Sequence, residues 1–165
     1  SVKEHPNADK LYITKAKIGE EERTLVAGLK PYYDKEEMEG KKIVVLMNLE
    51  PAKLRGVTSE AMMLAAQEDD VVSLLEPSSD VGTQIIGTTR NADQISFDDF
   101  QEYDLQVGEW KDGEIMGKED YESYDDYEFE GTAALFVKDG KAVPLRDEDG
   151  VIGTDKDVSP GSEIL

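Results

Sequence analysis

The sequence predicts a mainly β protein built from two consecutive units. Short apolar runs alternate with glycine, proline and polar turns, only one segment carries helix start and stop signals, and apolar periodicity persists along the whole chain. The 165 residues suffice for one domain or two small ones and can bury a core. We expect one unit in residues 1–89 and a second in residues 90–165.

The first unit opens with a loop that leads into a strand. The stretch "HPNADKL" occupies residues 5–11. Pro6 biases His5 toward extended backbone, and Asn7 readily bonds nearby backbone N–H groups, so an ordered loop is expected. The next residues alternate between apolar and polar side chains, which is the period of a half-buried strand. The predicted strands are Leu11–Ile18, "RTLVAGL" from Arg23, "KKIVVLMNL" from Lys41, "AMMLAA" from Ala61 and "VVSLL" from Val71.

A single short helix interrupts these strands. "PYYDKEEMEG" (residues 31–40) has proline at a plausible helix start, acids in the next turn and a glycine that ends it. Five strands and one helix in residues 1–89 fit an OB-fold barrel. Residues 76–94 are rich in small and polar side chains, which places the end of the unit and a linker there, with a boundary near residue 90.

The second unit is again mostly β. "ISFDDFQEYDLQVGEW" (95–110) alternates as a strand, and "TAALFVKDGKAVPL" (132–145) predicts a hairpin through Asp139-Gly140. Two segments also share one order of features, namely a small apolar strand, a charged turn, a second strand, Asp-Val, a glycine turn and an apolar pair. They are "AMMLAAQEDDVVSLL…SSDVGTQII" and "TAALFVKDGKAVPL…DKDVSPGSEIL". The second unit is therefore predicted to be a degenerate OB-like copy of the first.

Acidity is the most unusual bulk property of the chain. The net charge of -20 divides into -5 for residues 1–89 and -15 for residues 90–165. Either the protein works in a high-salt cytoplasm or it carries an acidic interaction region. Because acids occur along the whole chain and apolar periodicity persists between them, a salt-adapted cytoplasmic protein is favoured. Any surface for an anionic partner belongs to the first unit. The longest apolar runs are too short to span a bilayer, so no membrane partner is expected.

Several stretches of the first unit are similar to one known family. In order, they are "HPNADKLYITKAKIG", "RTLVAGLKPYY", "GKKIVVLMNLEPAKLRGVTSEAMMLAA" and "SSDVGTQI". Their order and spacing over residues 1–87 resemble the tRNA-binding domain that is appended to methionyl-tRNA synthetases and also occurs as free-standing tRNA-binding proteins. The resemblance implies an OB-fold that binds tRNA with little base specificity, often dimerises, and raises the local tRNA concentration for a synthetase.

One departure from the family concerns its first strand, an Asp-Leu-Arg-Val-Gly type segment expected before "SVKEHPNADKL". Either an upstream segment or another strand fills that place. "FDDFQEYDLQVGEW" (97–110) resembles this strand, and could complete the first barrel, as in a permuted fold, or open a second copy. The second alternative is favoured because "DVSPGSEIL" resembles the end of the family. Gln106 stands where the family usually has arginine, so we expect no tRNA contact from that half of the chain.

The candidate binding residues lie around two loops. "PAKLRGVTSEAM" places two cations on one loop with a glycine turn and hydroxyl groups that can bind phosphate or ribose, and the first loop adds an amide and a third cation at the barrel mouth. A methionine would contact an unstacked base. The predicted tRNA-binding residues are Asn7, Lys10, Lys53, Arg55, Ser59 and Met62. As alternatives, Met62 could be core, the cations could pair with nearby acids, and His5 is expected to be a structural capping residue.

No motif indicates an enzyme or a metal site. With no cysteine and one histidine, thiol and multi-histidine sites are excluded, and "RDEDGVIGTDKD" (146–157) lacks the glycine and closing glutamate of an EF-hand. We expect no cofactor, metal ion or catalytic residue. The sequence thus predicts a non-catalytic tRNA-binding module that assists methionyl-tRNA synthetase, as a homodimer or an internal pseudo-dimer. The alternative is a protein-interaction OB-fold that has lost tRNA binding.

Overall fold

The computed structural model describes residues 1–86, 93–125 and 127–165, which form short β-strands and two short helices. The predicted boundary at residue 90 lies outside the described residues. The first half contains β1 (Val2–Glu4), β2 (Tyr12–Ile18), β3 (Glu21–Ala27), α1 (Lys35–Met38), β4 (Val45–Leu46), β5 (Ala52–Leu54), β6 (Val57–Ser59), β7 (Met62–Met63), β8 (Ala65–Glu68) and β9 (Val71–Glu76). The second half contains α2 (Phe97–Gln101), β10 (Asp104–Lys111), β11 (Glu114–Met116), β12 (Asp120–Ser123), β13 (Thr132–Lys138), β14 (Lys141–Pro144), β15 (Arg146–Asp147), β16 (Gly150–Val151), β17 (Gly153–Thr154) and β18 (Glu163–Ile164).

The first unit surrounds its own apolar core. Strands β1, β2 and β3 form an antiparallel sheet, β4 pairs with β7, and β5 pairs with β6 as a hairpin. Leu25, Tyr33 and Leu74 are buried at the centre, and α1 adds the buried Met38. Strands occur at all five predicted runs, although only Val45–Leu46 of the run from Lys41 is regular strand and the run from Ala61 is divided into β7 and β8. The predicted helix is present but shorter than residues 31–40, because Asp34 and not Pro31 caps its start.

The second unit is a closed five-stranded barrel. The ladder runs β11-β12-β14-β13-β10 and closes because β10 also pairs with β11; β12 and β14 are parallel, and the other pairs are antiparallel. Its core is separate from that of the first unit and includes Ile115 and Leu135. The hairpin through Asp139-Gly140 is confirmed, with φ of 54° and 78°.

Strand β10 settles which of the two expected arrangements occurs. It pairs with β11, β13 and β18 and with no strand of the β1–β2–β3 sheet, so it opens the second barrel and does not complete the first. The strand predicted from Ile95 is wrong at its start, where α2 precedes β10. The Ser96 hydroxyl accepts the N–H of Asp99, and Asp99 accepts the N–H of Ser96, a reciprocal cap that starts a helix and buries Phe100.

Two strand pairs, a backbone hydrogen bond and an apolar cluster join the two units. C-terminal β18 pairs with β8 of the first unit and with β10, while β17 pairs with β9. In the other direction, Ile86 donates its N–H to the Arg146 carbonyl oxygen at 2.9 Å. A shared apolar cluster lies between the units and contains Leu64, Leu75, Val107 and Ile164. The fold class predicted from the sequence, a mainly β chain with a barrel and a short helix, is confirmed.

The tyrosines at positions 121, 124 and 127 of the second unit lie in three different environments. Tyr121 is buried, Tyr124 is exposed, and the guanidinium of Arg146 lies 4.1 Å from the centre of the Tyr127 ring.

Across the described parts of the chain, no cluster of acids and histidine has the arrangement of a metal site. Neither helix in those parts is long and apolar enough to cross a membrane.

Candidate nucleic-acid interface

A buried histidine connects the two loops that carry the predicted binding residues. His5 is 5% exposed, and its Nε2 lies 3.1 Å from the carbonyl oxygen of Leu54. The Asn7 N–H points at His5 Nδ1, 3.0 Å away. Since an N–H can only donate, Nδ1 is the acceptor, and the neutral ring therefore carries its proton on Nε2 and donates it to Leu54. His5 is structural, as expected, but its role is to bridge two loops.

The β5–β6 hairpin presents the cations at its tip. Lys53 lies opposite Thr58, and a two-residue turn of Arg55 and Gly56 joins the strands. Both turn residues have positive φ, 52° and 90°, as a type I′ turn requires. The glycine at the second position adopts this conformation without strain from a side chain. The side chains of Lys53, Arg55 and Thr58 are exposed, so the hairpin offers two cations and a hydroxyl to solvent.

No acid among the described residues forms an ion pair with the cations of this face. Within residues 1–86, 93–125 and 127–165, none of the ion pairs involves Lys10, Lys53 or Arg55, and all three side chains are exposed. The alternative in which Lys53 and Arg55 only pair with nearby acids is therefore not found among the described residues. Asn7 is also exposed and lies on the same loop as Lys10. Four of the predicted residues thus lie on the two surface loops joined by His5.

The remaining two predicted residues lie inside the fold. Ser59 is 8% exposed; its hydroxyl donates to the carbonyl oxygen of Ala61 at 2.9 Å and accepts the N–H of Val26 at 3.0 Å. This hydroxyl fastens β6 to β3 and is not presented at the surface, which corrects the expectation that it faces phosphate or ribose. Met62 is half-buried, pairs with Leu46 and packs against the cluster between the units, as the core alternative proposed.

The second unit uses Gln106 for its own structure. Gln106 is fully buried, and its amide nitrogen lies 2.8 Å from an Asp104 carboxylate oxygen and 3.2 Å from the Tyr121 hydroxyl. Its amide oxygen accepts the N–H of Lys118 at 2.7 Å. These bonds lie inside the barrel, so the side chain at this position does not face a ligand.

The first unit matches a known protein family. Residues 1–84 match the family model of the tRNA binding domain, which is half of the chain. The chain belongs to this family. The matched region contains the His5 bridge, the loop that follows it and the β5–β6 hairpin.

Relatives of this tRNA-binding-domain chain include synthetases. The methionine–tRNA ligases of Pyrococcus horikoshii and Nanoarchaeum equitans are 58% and 54% identical to it over 80 residues. Each match covers 48% of this chain and only 11% or 10% of the enzyme. The C-terminal domain of Plasmodium vivax p43 superposes with a TM-score of 0.68 at 26% identity, covering 100% of this chain and 91% of that one. The structural similarity therefore extends to the second unit.

Proposed function

We propose that this chain is a non-catalytic module that binds tRNA through the loop of residues 5–11 and the β5–β6 hairpin. The observation that carries the proposal is the pair of surface loops, joined by His5, that expose three cations with no ion-pair partner in the described part of the chain. Cations contact phosphate and so provide affinity without reading sequence, which supports binding with little base specificity. The four residues proposed to contact tRNA are Asn7, Lys10, Lys53 and Arg55.

The charge distribution supports this location. Residues 90–165 carry a net charge of -15, whereas residues 1–89 carry -5. A phosphate backbone is therefore repelled less by the first unit than by the second. We infer a salt-rich cytoplasm as the setting, in which hydrogen bonds and shape supply more of the affinity than cation–phosphate attraction does.

We also propose a partner and a role for the second unit. The synthetase relatives match this chain over the tRNA-binding region alone, which supports assistance to methionyl-tRNA synthetase by concentrating tRNA near it. The second unit pairs with the first through β18 and β17, so it acts as a built-in partner in place of a second copy. Sedimentation of the purified chain tests this arrangement, because it should be monomeric.

The test is a tRNA titration in molar KCl. The Lys53→Glu/Arg55→Glu variant should bind about tenfold or more weakly, because two cations at the proposed site become anions. The matched control is Lys138→Glu/Lys141→Glu, which reverses two exposed lysines that face each other on the β13–β14 hairpin. This control makes the same change in net charge away from the site and should bind like the unmodified chain.

Each contrary outcome has a definite meaning. An equal loss in both variants would show that affinity follows net charge, which contradicts the proposed site. No binding by any of the three proteins, all shown to be folded by circular dichroism, would contradict tRNA binding. That result would favour the protein-interaction module instead.

A further inference from the structure

We propose that His5 is a positioning residue for tRNA binding: its neutral imidazole holds the loop of residues 5–11 and the β5–β6 hairpin in one fixed arrangement. This inference rests on the proposed function, because it concerns how the two cationic loops act as one surface. His5 itself is buried, so its ring is not presented at the surface. Its effect passes through the backbone of Leu54 and Asn7.

The hairpin needs such a restraint at its tip. All residues from 50 to 56 are exposed, so this arm has little apolar packing to hold it. At its base it is fastened by the Ser59 hydroxyl, which accepts the N–H of Val26, and by Glu60, which donates its N–H to the Thr24 carbonyl oxygen at 2.8 Å. Nearer the tip, the His5–Leu54 hydrogen bond ties the residue between Lys53 and Arg55 to the body of the protein.

Hydrogen bonds within the loop of residues 5–11 hold His5 itself in place. Its backbone N–H donates to the Leu11 carbonyl oxygen at 3.1 Å, and its ring accepts the N–H of Asn7. These bonds close the loop that carries Lys10. One imidazole therefore sets the spacing between Lys10 and the two cations of the hairpin.

Because the spacing is fixed before binding, less conformational entropy is lost when tRNA binds. Without the bridge, the cations still reach the phosphates once tRNA is bound, but the hairpin must first be ordered. We expect the affinity to fall by about three- to tenfold, the effect of one hydrogen bond. The slope of log affinity against log salt should stay unchanged, since the number of cation–phosphate contacts is the same.

Two substitutions separate the two bonds of the ring. In His5→Asn, the side-chain oxygen takes the place of Nδ1 and can still accept the Asn7 N–H, as in an Asx turn, but no group reaches Leu54. In His5→Gln, the side-chain N–H takes the place of Nε2 and can still donate to Leu54. We therefore expect His5→Asn to lose affinity and His5→Gln to recover most of it.

The experiment measures tRNA affinity of the three full chains in molar KCl, together with hydrogen exchange of the hairpin amides in residues 53–58. The expected result is weaker binding and faster exchange in His5→Asn, near-normal behaviour in His5→Gln, and an unchanged salt slope for both. Equal affinity of His5→Asn and the unmodified chain would overturn the inference while leaving tRNA binding intact. Equal losses in both variants, with unchanged hairpin exchange, would also overturn it, since the Leu54 bond would then be irrelevant. If the unmodified chain fails to bind tRNA, the proposed function and this inference fall together.

Discussion

The hydroxyl of Tyr33 lies 3.0 Å from a carboxylate oxygen of Asp155, although these residues belong to different units of the chain. The other oxygen of that carboxylate accepts a hydrogen bond from the Lys41 ammonium group at 2.8 Å. The ammonium group of Lys156 lies 3.9 Å from the centre of the Tyr33 ring. A half-buried polar cluster around the buried Tyr33 ring thus fastens the end of the second unit to the core of the first.

This cluster predicts a loss of stability at alkaline pH. Burial, reinforced by the hydrogen bond to Asp155, raises the pKa of Tyr33 to about 12. The ordinary pKa of a tyrosine phenol is about 10, so in the unfolded chain this group ionises above pH about 10. The contribution of Tyr33 is therefore fully present below pH about 10 and is lost as the pH rises toward about 12. Urea unfolding from pH 9 to 12 should show this loss for the unmodified chain and a flatter profile for Tyr33→Phe; identical profiles would contradict the prediction.

The same cluster predicts sensitivity to acid through Asp155. Burial opposes its ionisation, but the hydrogen bonds from Lys41 and Tyr33 outweigh burial and lower the pKa of this carboxyl group. Its contribution to stability is present above the ordinary aspartate pKa of about 3.9 and is lost as the pH falls through the lower folded value. Asp155→Asn should destabilise the chain at pH 7 by about 1–3 kcal/mol and show a weaker acid dependence.

A matched control for Asp155 is Glu4→Gln, which removes an ion pair with Lys30 at the surface. Surface ion pairs contribute little, so the unfolding midpoint in urea should hardly change. A comparable loss from both substitutions would mean that the half-buried cluster stabilises the fold no more than a surface ion pair does.

Gln106 is predicted to stabilise the second barrel through its buried hydrogen bonds. In Gln106→Leu, the Lys118 N–H and the Tyr121 hydroxyl lose a buried partner, which should cost about 1–3 kcal/mol in the free energy of unfolding. Gln101→Leu changes an exposed glutamine on α2 and serves as the control. Chemical denaturation of both variants checks the prediction; equal midpoints would refute it.

Gly82 is predicted to tolerate no side chain. A Cβ at this position would lie 2.7 Å from the N and Cα atoms of Gly19, at a backbone φ of +92°. Gly82→Ala should therefore destabilise the chain by more than the strain of positive φ alone. Gly40→Ala is the control, because Gly40 has φ of +78° and no atom within 4 Å of the added Cβ. Thermal unfolding should rank Gly82→Ala clearly below Gly40→Ala; the reverse order would exclude a close glycine–glycine contact.

The net charge of -20 predicts opposite salt effects on folding and on binding. Added KCl screens the repulsion among carboxylates, so the free energy of unfolding should rise from low to molar salt. Affinity for tRNA should fall with salt less steeply than in a basic relative, because fewer cation–phosphate contacts contribute. Urea unfolding and tRNA titration over one KCl series measure both; a steep loss of binding with added salt would contradict the second part.

Local patterns were sufficient to predict much of the fold. The alternation after Leu11 predicted β2, the Asp139-Gly140 pair predicted the hairpin of the second barrel, and Gly56 predicted the turn that exposes the cations. One local signal was missed: Ser96 and Asp99 start a helix where alternation suggested a strand. These features depend on side chains a few positions apart, which the sequence displays directly.

By itself, therefore, the sequence determined the strand pattern, the turn chemistry, the charge asymmetry and the family resemblance. Only the tertiary structure decided that Ser59 is buried against Val26, that His5 reaches Leu54, and that β10 closes the second barrel. The physical reason is that a hydroxyl, an imidazole or a strand edge can satisfy its hydrogen bonds with many partners. The partner it takes depends on which distant segments the packed core brings within about 3 Å.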